Sequence, residues 1–174
     1  MTNHKIQEKL IAKFGESVKD FTETYGMMSF EVERGKAIEL LRFLRDEETL
    51  RFNFLTTICA VHYPDNELER QFAVVYHMHN WVDNIRIRFK VYLNGENPEI
   101  ETATNVFLTA NWMEREAYDF YGIIFTGHPD LRRILNMEEM VSFPMRKEYP
   151  MEDANRTDKD DRYFGREPQN VNLN

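Results

Sequence analysis

The chain has 174 residues, of which 42% are hydrophobic and 30% charged, a composition typical of one globular domain that can bury a core without staples. Its 22 basic and 30 acidic residues give a net charge of −8, which argues against nucleic-acid binding and against electrostatic docking on an anionic membrane. Cys59 is the single cysteine, so an internal disulfide and a multi-thiolate zinc site are excluded and a reduced, intracellular protein is predicted.

The first third of the chain predicts two amphipathic helices separated by a strand. Apolar residues at helical spacing indicate a helix over residues 3–14, for which Gly15 is a suitable C-terminal stop. Alternating apolar residues after Gly26 indicate a strand near residues 28–32. A second helix is predicted after Gly35, with an apolar face made of Ala37, Leu40, Leu41 and Leu44.

Three β-rich runs follow. Residues 52–63 are the most apolar run and predict a buried strand, still well short of the ~20 residues that a membrane helix needs. Two alternating runs come next, one from Gln71 and one over residues 85–93, joined by a predicted hairpin at residues 80–84. The polar alternates of the second run are expected to face solvent: Arg86, Arg88 and Lys90. This order predicts an α+β fold with helices packed on one face of a mainly antiparallel sheet.

The last third changes character. A helix capped by Thr102 or Thr104 is predicted to run to about Tyr121 and to end at Gly122. From Pro144 onward, prolines punctuate a polar stretch that has neither a helical nor a strand period. The sequence therefore predicts an α+β domain over residues 1–143 and an extended tail over residues 144–174. The amino-terminal residues lack an apolar signal-peptide core, so no leader is expected.

The histidines are the first candidates for a metal site. His77 and His79 lie two apart on a predicted strand and share a face, while His62 and Cys59 lie on another run. Zinc accepts such ligands. Cys59 and His62, however, are three apart and should point to opposite faces of their strand. We therefore expect polar alternates on a solvent-facing side of the sheet, with a metal site as the alternative.

Two charged clusters are candidates for chemistry or binding. Glu116 and Asp119 lie three apart on one predicted helix face and could pair as acid and base, but the adjacent Arg115 favours a packing or docking surface. Residues 127–133 (GHPDLRR) place two arginines on a constrained turn, either as a patch that binds partner carboxylates or as a solvated surface turn. No glycine-rich phosphate loop occurs, so no nucleotide site is predicted.

Together, three blocks resemble a known family. Residues 111–123 (NWMEREAYDFYGI), 125–135 (FTGHPDLRRIL) and 144–150 (PMRKEYP) resemble the signature of the C-type subunit of respiratory complex I, the proton-translocating NADH:quinone oxidoreductase. The resemblance covers most of the chain, and its specific part spans residues 111–150. The sequence departs from the family at His62, where relatives often carry Asp, and at residues 138–143, which lack a Trp-x-Gly-His element.

The resemblance implies a non-catalytic structural subunit of the hydrophilic arm of that complex. The main expected partner is the D-type subunit of the complex, which the tail would wrap and which helps form the quinone pocket. The B-type subunit and other hydrophilic-arm subunits are further expected partners. The chain itself is expected to bind no cofactor, because the FMN and the iron–sulfur clusters belong to other subunits. A peripheral position is implied on the cytoplasmic side of the bacterial inner membrane, with membrane contact only through the complex and no nucleic-acid contact.

The three blocks also supply the residues predicted to contact a partner: Trp112, Glu114, Arg115, Glu116, Asp119, His128, Pro129, Asp130, Arg132, Arg133, Arg146 and Lys147. Two alternatives to this function stay open at the level of sequence. One is the corresponding subunit of a related membrane-bound hydrogenase, and the other is a free-standing metal-dependent enzyme that uses His62, His77 and His79.

Overall fold

A computed structural model describes residues 2–149 of the chain, which contain three α-helices and seven strands. The helices are α1 (Asn3–Phe14), α2 (Ala37–Asp46) and α3 (Ala110–Tyr121). The strands are β1 (Val18–Thr24), β2 (Met27–Val32), β3 (Phe54–His62), β4 (Phe72–Asn80), β5 (Ile85–Leu93), β6 (Glu99–Glu101) and β7 (Ile124–Thr126). The helices predicted over residues 3–14 and after Gly35 are confirmed, as is the hairpin that joins β4 to β5.

Five strands form one twisted sheet in the order β1-β2-β5-β4-β3. Its neighbours are antiparallel except for β2 and β5, which run parallel with Phe30 opposite Phe89. Because opposed residues in a sheet share a face, the register separates an apolar inner face from a more polar outer face. The predicted α+β fold with a mainly antiparallel sheet is confirmed.

The inner face carries the hydrophobic core. Helices α1 and α2 contribute Ile6, Leu10 and Leu41 to a cluster that includes Phe30 and Tyr76 of the sheet. Aromatic rings order this layer, since Tyr76 stacks on Phe89 with ring centroids 4.7 Å apart. Burial of such side chains contributes about 1.5–3 kcal/mol each, so this layer supplies most of the drive to fold.

Helix α3 packs against β3 at one edge of the sheet. There the backbone N–H of Ile58 donates to the thioether sulfur of Met113 at 3.2 Å. Strand β3 is therefore an alternating edge strand whose free edge is covered by a helix, rather than the fully buried strand that its composition predicts.

The prediction that α3 starts at Thr102 or Thr104 is wrong. Residues 102–109 form turns, and the helix begins at Ala110. Thr102 and Thr104 do not cap it, because both are buried with their hydroxyls 2.9 Å apart and Thr102 donates to Glu114. Strands β6 and β7 pair in parallel on either side of α3 in the sequence, and their three-residue length leaves no period to detect.

The carboxyl-terminal part of the described chain stays close to the domain. Residues 144–149 contact the end of α3 and the sheet, and the predicted boundary at residue 143 remains a prediction. The greater part of the predicted tail, residues 150–174, lies outside the described residues. Among residues 2–149, no helix is both long and apolar enough to cross a membrane.

Candidate docking site

The candidate site is built on α3, which displays one buried and one exposed charged face. Glu114, Arg115 and Asp119 are buried, whereas Glu116 is exposed and Trp112 keeps 59% of its surface accessible. The helix ends where sequence predicts, with Gly122 in the left-handed region (φ 74°) and its N–H donating to the carbonyl of Tyr118.

The carboxylate of Asp119 anchors the loop that follows β7, because both of its oxygens accept hydrogen bonds from residues 133–136. Its Oδ2 accepts the backbone N–H groups of Ile134, Leu135 and Asn136 at 3.1, 2.8 and 2.9 Å. Its Oδ1 accepts Arg133 Nη1 at 2.7 Å and Asn136 Nδ2 at 3.0 Å. Burial opposes ionisation of Asp119, but these donors outweigh it and hold the pKa of the carboxyl well below its ordinary value.

Arg133 ties the same carboxylate to a second stretch of loop. Nη1 also donates to the carbonyl of Asp119 at 2.9 Å, and Nη2 donates to the carbonyls of Met140 and of Ser142. The guanidinium lies 5.0 Å from the centroid of the Phe143 ring. A planar five-donor group suits this arrangement, which leaves residues 133–142 fixed without regular secondary structure. We call this set the Asp119–Arg133 network.

Arg115 supports the network from the middle of α3. Nε donates to the carbonyl of Arg132 at 3.2 Å and Nη2 to the carbonyl of Arg133 at 3.1 Å. The guanidinium carbon lies 5.1 Å from the ring centroid of Trp112. Arg115 therefore holds the backbone of Arg132 and Arg133 close to α3 and also packs against the exposed indole of Trp112.

Glu114 is a second buried carboxyl, fully removed from solvent. It accepts the Thr102 hydroxyl and the Ala103 backbone N–H, both at 2.6 Å. Burial raises the pKa of the Glu114 carboxyl to about 7, although these two hydrogen bonds act in the opposite direction. The buried His128 ring lies near it, with Nε2 4.0 Å from Oε2, and it accepts the Asp130 backbone N–H at Nδ1.

Residues of the third block attach the chain beyond the loop. Arg146 donates from Nε to the carbonyl of Tyr121 at 2.8 Å and lies about equally far from the rings of Phe72 and Phe143. The Lys147 backbone N–H donates to Nδ1 of His62 at 3.0 Å. His62 thus accepts the same kind of hydrogen bond that a carboxylate would accept.

The remaining predicted contact residues are exposed. Arg132 pairs with Asp130 at 2.9 Å, with both side chains more than half accessible, and Pro129 and Lys147 are also exposed. The prediction that these twelve residues contact a partner stays a prediction. The structure gives Glu114, Arg115, Asp119, His128, Arg133 and Arg146 an internal role in shaping the surface, and it leaves the other six accessible.

The structure adds apolar residues that the charged motifs did not indicate. Leu135, Met137 and Val141 are 66%, 74% and 96% exposed on the loop held by the Asp119–Arg133 network. We call these three residues, together with the exposed Trp112 on α3 and Met145 just after the loop, the apolar loop surface. The detectable signal is the run of apolar residues between Ile134 and Phe143 that has no helical or strand period.

The histidine alternative is not assembled by the fold. His62 points to the inner face, where it stacks on Phe72 at 4.5 Å, whereas Cys59 and His77 oppose outer-face partners. Among residues 2–149, no group of three or more His, Cys, Asp or Glu side chains is placed to hold a metal ion.

Comparisons with known proteins place the chain in a family. Residues 30–155 match the model of the respiratory-chain NADH dehydrogenase 30 kDa subunit. The chain is 42% identical over 143 residues to a C-type subunit (C 2) of NADH-quinone oxidoreductase from Rhizobium etli, covering 82% of this chain and 74% of that one. It is 37% identical over 170 residues to the C-type subunit of NADH-quinone oxidoreductase from Roseiflexus sp., covering 97% of each. The chain belongs to the family of the 30 kDa subunit of respiratory-chain NADH dehydrogenase.

Solved structures agree with this membership. A trypsin-resistant fragment (1–134) of Nqo5 is 31% identical, with a TM-score of 0.62, and the match covers 75% of this chain and all of that fragment. A chain of an archaeal membrane-bound sulfane sulfur reductase shares the fold, with a TM-score of 0.72 at 22% identity and 85% coverage of each chain. The predicted function as a hydrophilic-arm subunit of NADH:quinone oxidoreductase is confirmed, and neither alternative is favoured.

Proposed function

We propose that this chain acts in the complex as a non-catalytic scaffold that docks mainly to the D-type subunit, with the B-type subunit as a further neighbour. Electron transfer from NADH to quinone uses the FMN and iron–sulfur clusters of other subunits, and this chain binds no cofactor of its own. It lies peripherally on the cytoplasmic side of the bacterial inner membrane and contacts the bilayer only through the complex.

The observation that carries this proposal is the rigid display of the apolar loop surface. A loop without regular structure ordinarily loses entropy when it binds. Here Asp119 and Arg133 already fix residues 133–142 through buried charged hydrogen bonds, so that cost is met during folding. Large apolar side chains on a fixed backbone are the usual centre of a protein interface.

Charged residues around that surface suit the rim of an interface. Glu116, Asp130, Arg132 and Lys147 are exposed, and Trp112 supplies an aromatic side chain of the type enriched in interface hot spots. Rim charges of both signs contribute more to orientation and specificity than to affinity. This arrangement favours one defined orientation on the partner.

The use of the two buried carboxyls supports a structural rather than a catalytic role. In residues 2–149 the buried acidic side chains are Glu114 and Asp119. Both spend their oxygens on hydrogen bonds to nearby backbone and side-chain donors. Neither carboxyl is offered to an open cleft where a substrate would meet it, which general acid–base catalysis requires.

The proposal is tested by placing charge on the apolar loop surface in the full-length chain within the native complex. Met137→Asp with Val141→Asp is expected to lower incorporation into the complex at least about tenfold, because carboxylates are then buried against a partner. Ile11→Asp with Leu68→Asp is the matched control, since both residues are exposed apolar side chains on other elements, α1 and the turn before β4. The melting temperature of each full-length variant shows that the fold is intact.

Equal incorporation of the two double variants contradicts the docking role. Absence of the parent chain from the purified complex that holds the D-type subunit contradicts the whole proposal. Elemental analysis of the purified chain is the third measurement, and stoichiometric zinc or iron would point instead to a metal-dependent protein.

A further inference from the structure

The outer sheet face is a second candidate interaction surface, distinct from the apolar loop surface. We define it by the outward residues of β1–β5. The helices α1 and α2 bury their apolar residues in the core on the other side of the sheet. Ala73 and Val75, in the centre of the outer sheet face, are at most 5% exposed yet lie outside that core cluster. Side chains of the outer face itself, rather than α1 or α2, therefore cover these two residues, and a partner would meet the larger side chains around them.

The charge of the outer sheet face is opposite to that of the chain. The outward paired positions of its strands include four basic residues: Lys19, Arg86, Arg88 and Lys90. The acidic residue at an outward paired position of the described strands is Glu31, and Arg70 already binds both of its oxygens at 2.9 and 3.0 Å. A chain with a net charge of −8 thus presents a basic stripe on β5.

Aromatic residues flank one end of this stripe. Trp81 is 63% exposed and packs edge-on against Phe54 with centroids 5.2 Å apart. His79 lies 5.1 Å from the same indole. Such an exposed aromatic cluster beside arginines has the composition of a protein-interface centre.

The area of the face fits a protein partner. The five strands β1–β5 together have 40 residues, so at about 3.3 Å per residue and 4.8 Å per strand the sheet spans roughly 600 Å². With its flanking turns this approaches the ~800 Å² that each side of a stable complex buries. A membrane or a nucleic acid is disfavoured because each presents an extended anionic surface to the whole chain of net charge −8, whereas a protein partner can confine its carboxylates to the patch that faces the basic stripe.

We propose that the outer sheet face docks an acidic protein surface, namely the carboxylate-bearing face of a second subunit in the assembly. Arg86 and Lys90 pair with its carboxylates, and Trp81 with Phe54 packs on its apolar residues. This proposal needs the chain to function in a multi-subunit complex, but it does not depend on which subunit covers the apolar loop surface. The chain then contacts one neighbour through the apolar loop surface and another through the basic outer sheet face.

Charge reversal within the native complex tests the proposal. Arg86→Glu with Lys90→Glu in the full-length chain is expected to lower incorporation about tenfold, with a greater loss at low ionic strength, because like charges then face each other. Arg88 is left unchanged because Nε donates to Ser29 Oγ at 2.9 Å. Lys5→Glu with Arg42→Glu on α1 and α2 is the matched control, since it makes the same net change at exposed positions.

Protection of Lys90 is the second measurement. Acetylation by an amine-specific reagent, quantified by mass spectrometry, is expected to be several-fold lower at Lys90 in the intact complex than in the isolated full-length chain. A carbodiimide cross-link from Lys90 to an Asp or Glu of another subunit would identify the partner.

Three outcomes overturn the proposal. The first is equal incorporation of the charge-reversal variant and the control, and the second is full acetylation of Lys90 in the intact complex. The third is charge-dependent binding of the isolated chain to vesicles of equal phosphatidylglycerol and phosphatidylcholine, lost in the Arg86→Glu, Lys90→Glu variant, which assigns the face to a lipid surface. Failure of the apolar loop surface experiment alone leaves these readouts unaffected.

Discussion

At the scale of single residues, two adjacent arginines have different roles. Arg133 is 8% exposed and binds a fully buried carboxylate, whereas Arg132 makes a solvent-exposed pair with Asp130. Removing one partner of a buried pair leaves an uncompensated charge, which costs about 3–5 kcal/mol. An exposed pair contributes at most about 1 kcal/mol.

Arg133→Ala is therefore expected to lower the free energy of unfolding of the full-length chain by about 3 kcal/mol. Arg132→Ala is the matched control and is expected to change it by less than about 1 kcal/mol. Denaturant unfolding of both variants measures the difference. If Arg132 contacts a partner as proposed, its variant is incorporated less efficiently despite normal stability. Equal unfolding energies for the two variants contradict the role given to Arg133.

The single residue Glu114 is expected to make the stability of the fold depend on pH. The pKa of its carboxyl is raised from 4.5 to about 7 in the folded chain, chiefly by burial. Between these values the unfolded chain has lost the proton while the folded chain retains it. Stability from this group is therefore complete below pH 4.5 and falls as the pH rises through 7, by roughly 3 kcal/mol in total.

Glu114→Gln mimics the protonated side chain and removes this dependence. The unfolding free energy of the parent minus that of the variant is expected to decrease between pH 5 and pH 8. Other titrating groups, such as His62, whose pKa is lowered by burial, are common to both chains and cancel in the difference. Denaturant titrations at four pH values measure it, and a difference that is constant with pH contradicts the assignment.

At the scale of elements, periodicity correctly predicted the helices and strands whose apolar pattern is long. Helices α1 and α2 and the β4–β5 hairpin follow apolar spacings that persist over nine or more residues. Strands β6 and β7, at three residues each, are too short for a pattern. The predicted start of α3 was wrong. Threonine is a common helix N-cap, but the hydroxyl of Thr102 donates instead to Glu114, twelve residues away.

The sequence likewise predicted only part of the candidate site. The motifs located its residues, but their charges suggested exposure, whereas Asp119 and Arg133 are buried against each other across fourteen residues of sequence. Pairing over such a distance depends on the tertiary approach of the loop to α3. Gly122 shows how close that approach is, since a Cβ there would lie 2.5 Å from the Phe143 ring. Local sequence spacing contains no signal for this contact.

At the scale of the whole molecule, the contacts that the structure describes run as far as residue 149. Arg146 and the Lys147 backbone N–H bind Tyr121 and His62, and among residues 2–149 the buried core cluster extends to Phe125, with Leu131 packed against it. Deleting residues 151–174 therefore removes none of the described anchors. The truncated chain is expected to keep the melting temperature of the parent within about 2 °C, which for a chain of this size corresponds to about 0.5–1 kcal/mol.

The same truncation is expected to lower retention of the chain in the complex, since the removed segment is the proposed partner-wrapping tail. Affinity purification through another subunit, followed by quantification of this chain, measures retention. A glycine–serine segment of equal length in place of residues 151–174 is the control, and it should fail to restore retention if side-chain contacts of the tail bind the partner. Unchanged retention of the truncated chain contradicts the wrapping role. A large fall in melting temperature would show instead that the tail belongs to the folded domain, so the two measurements together separate docking from folding.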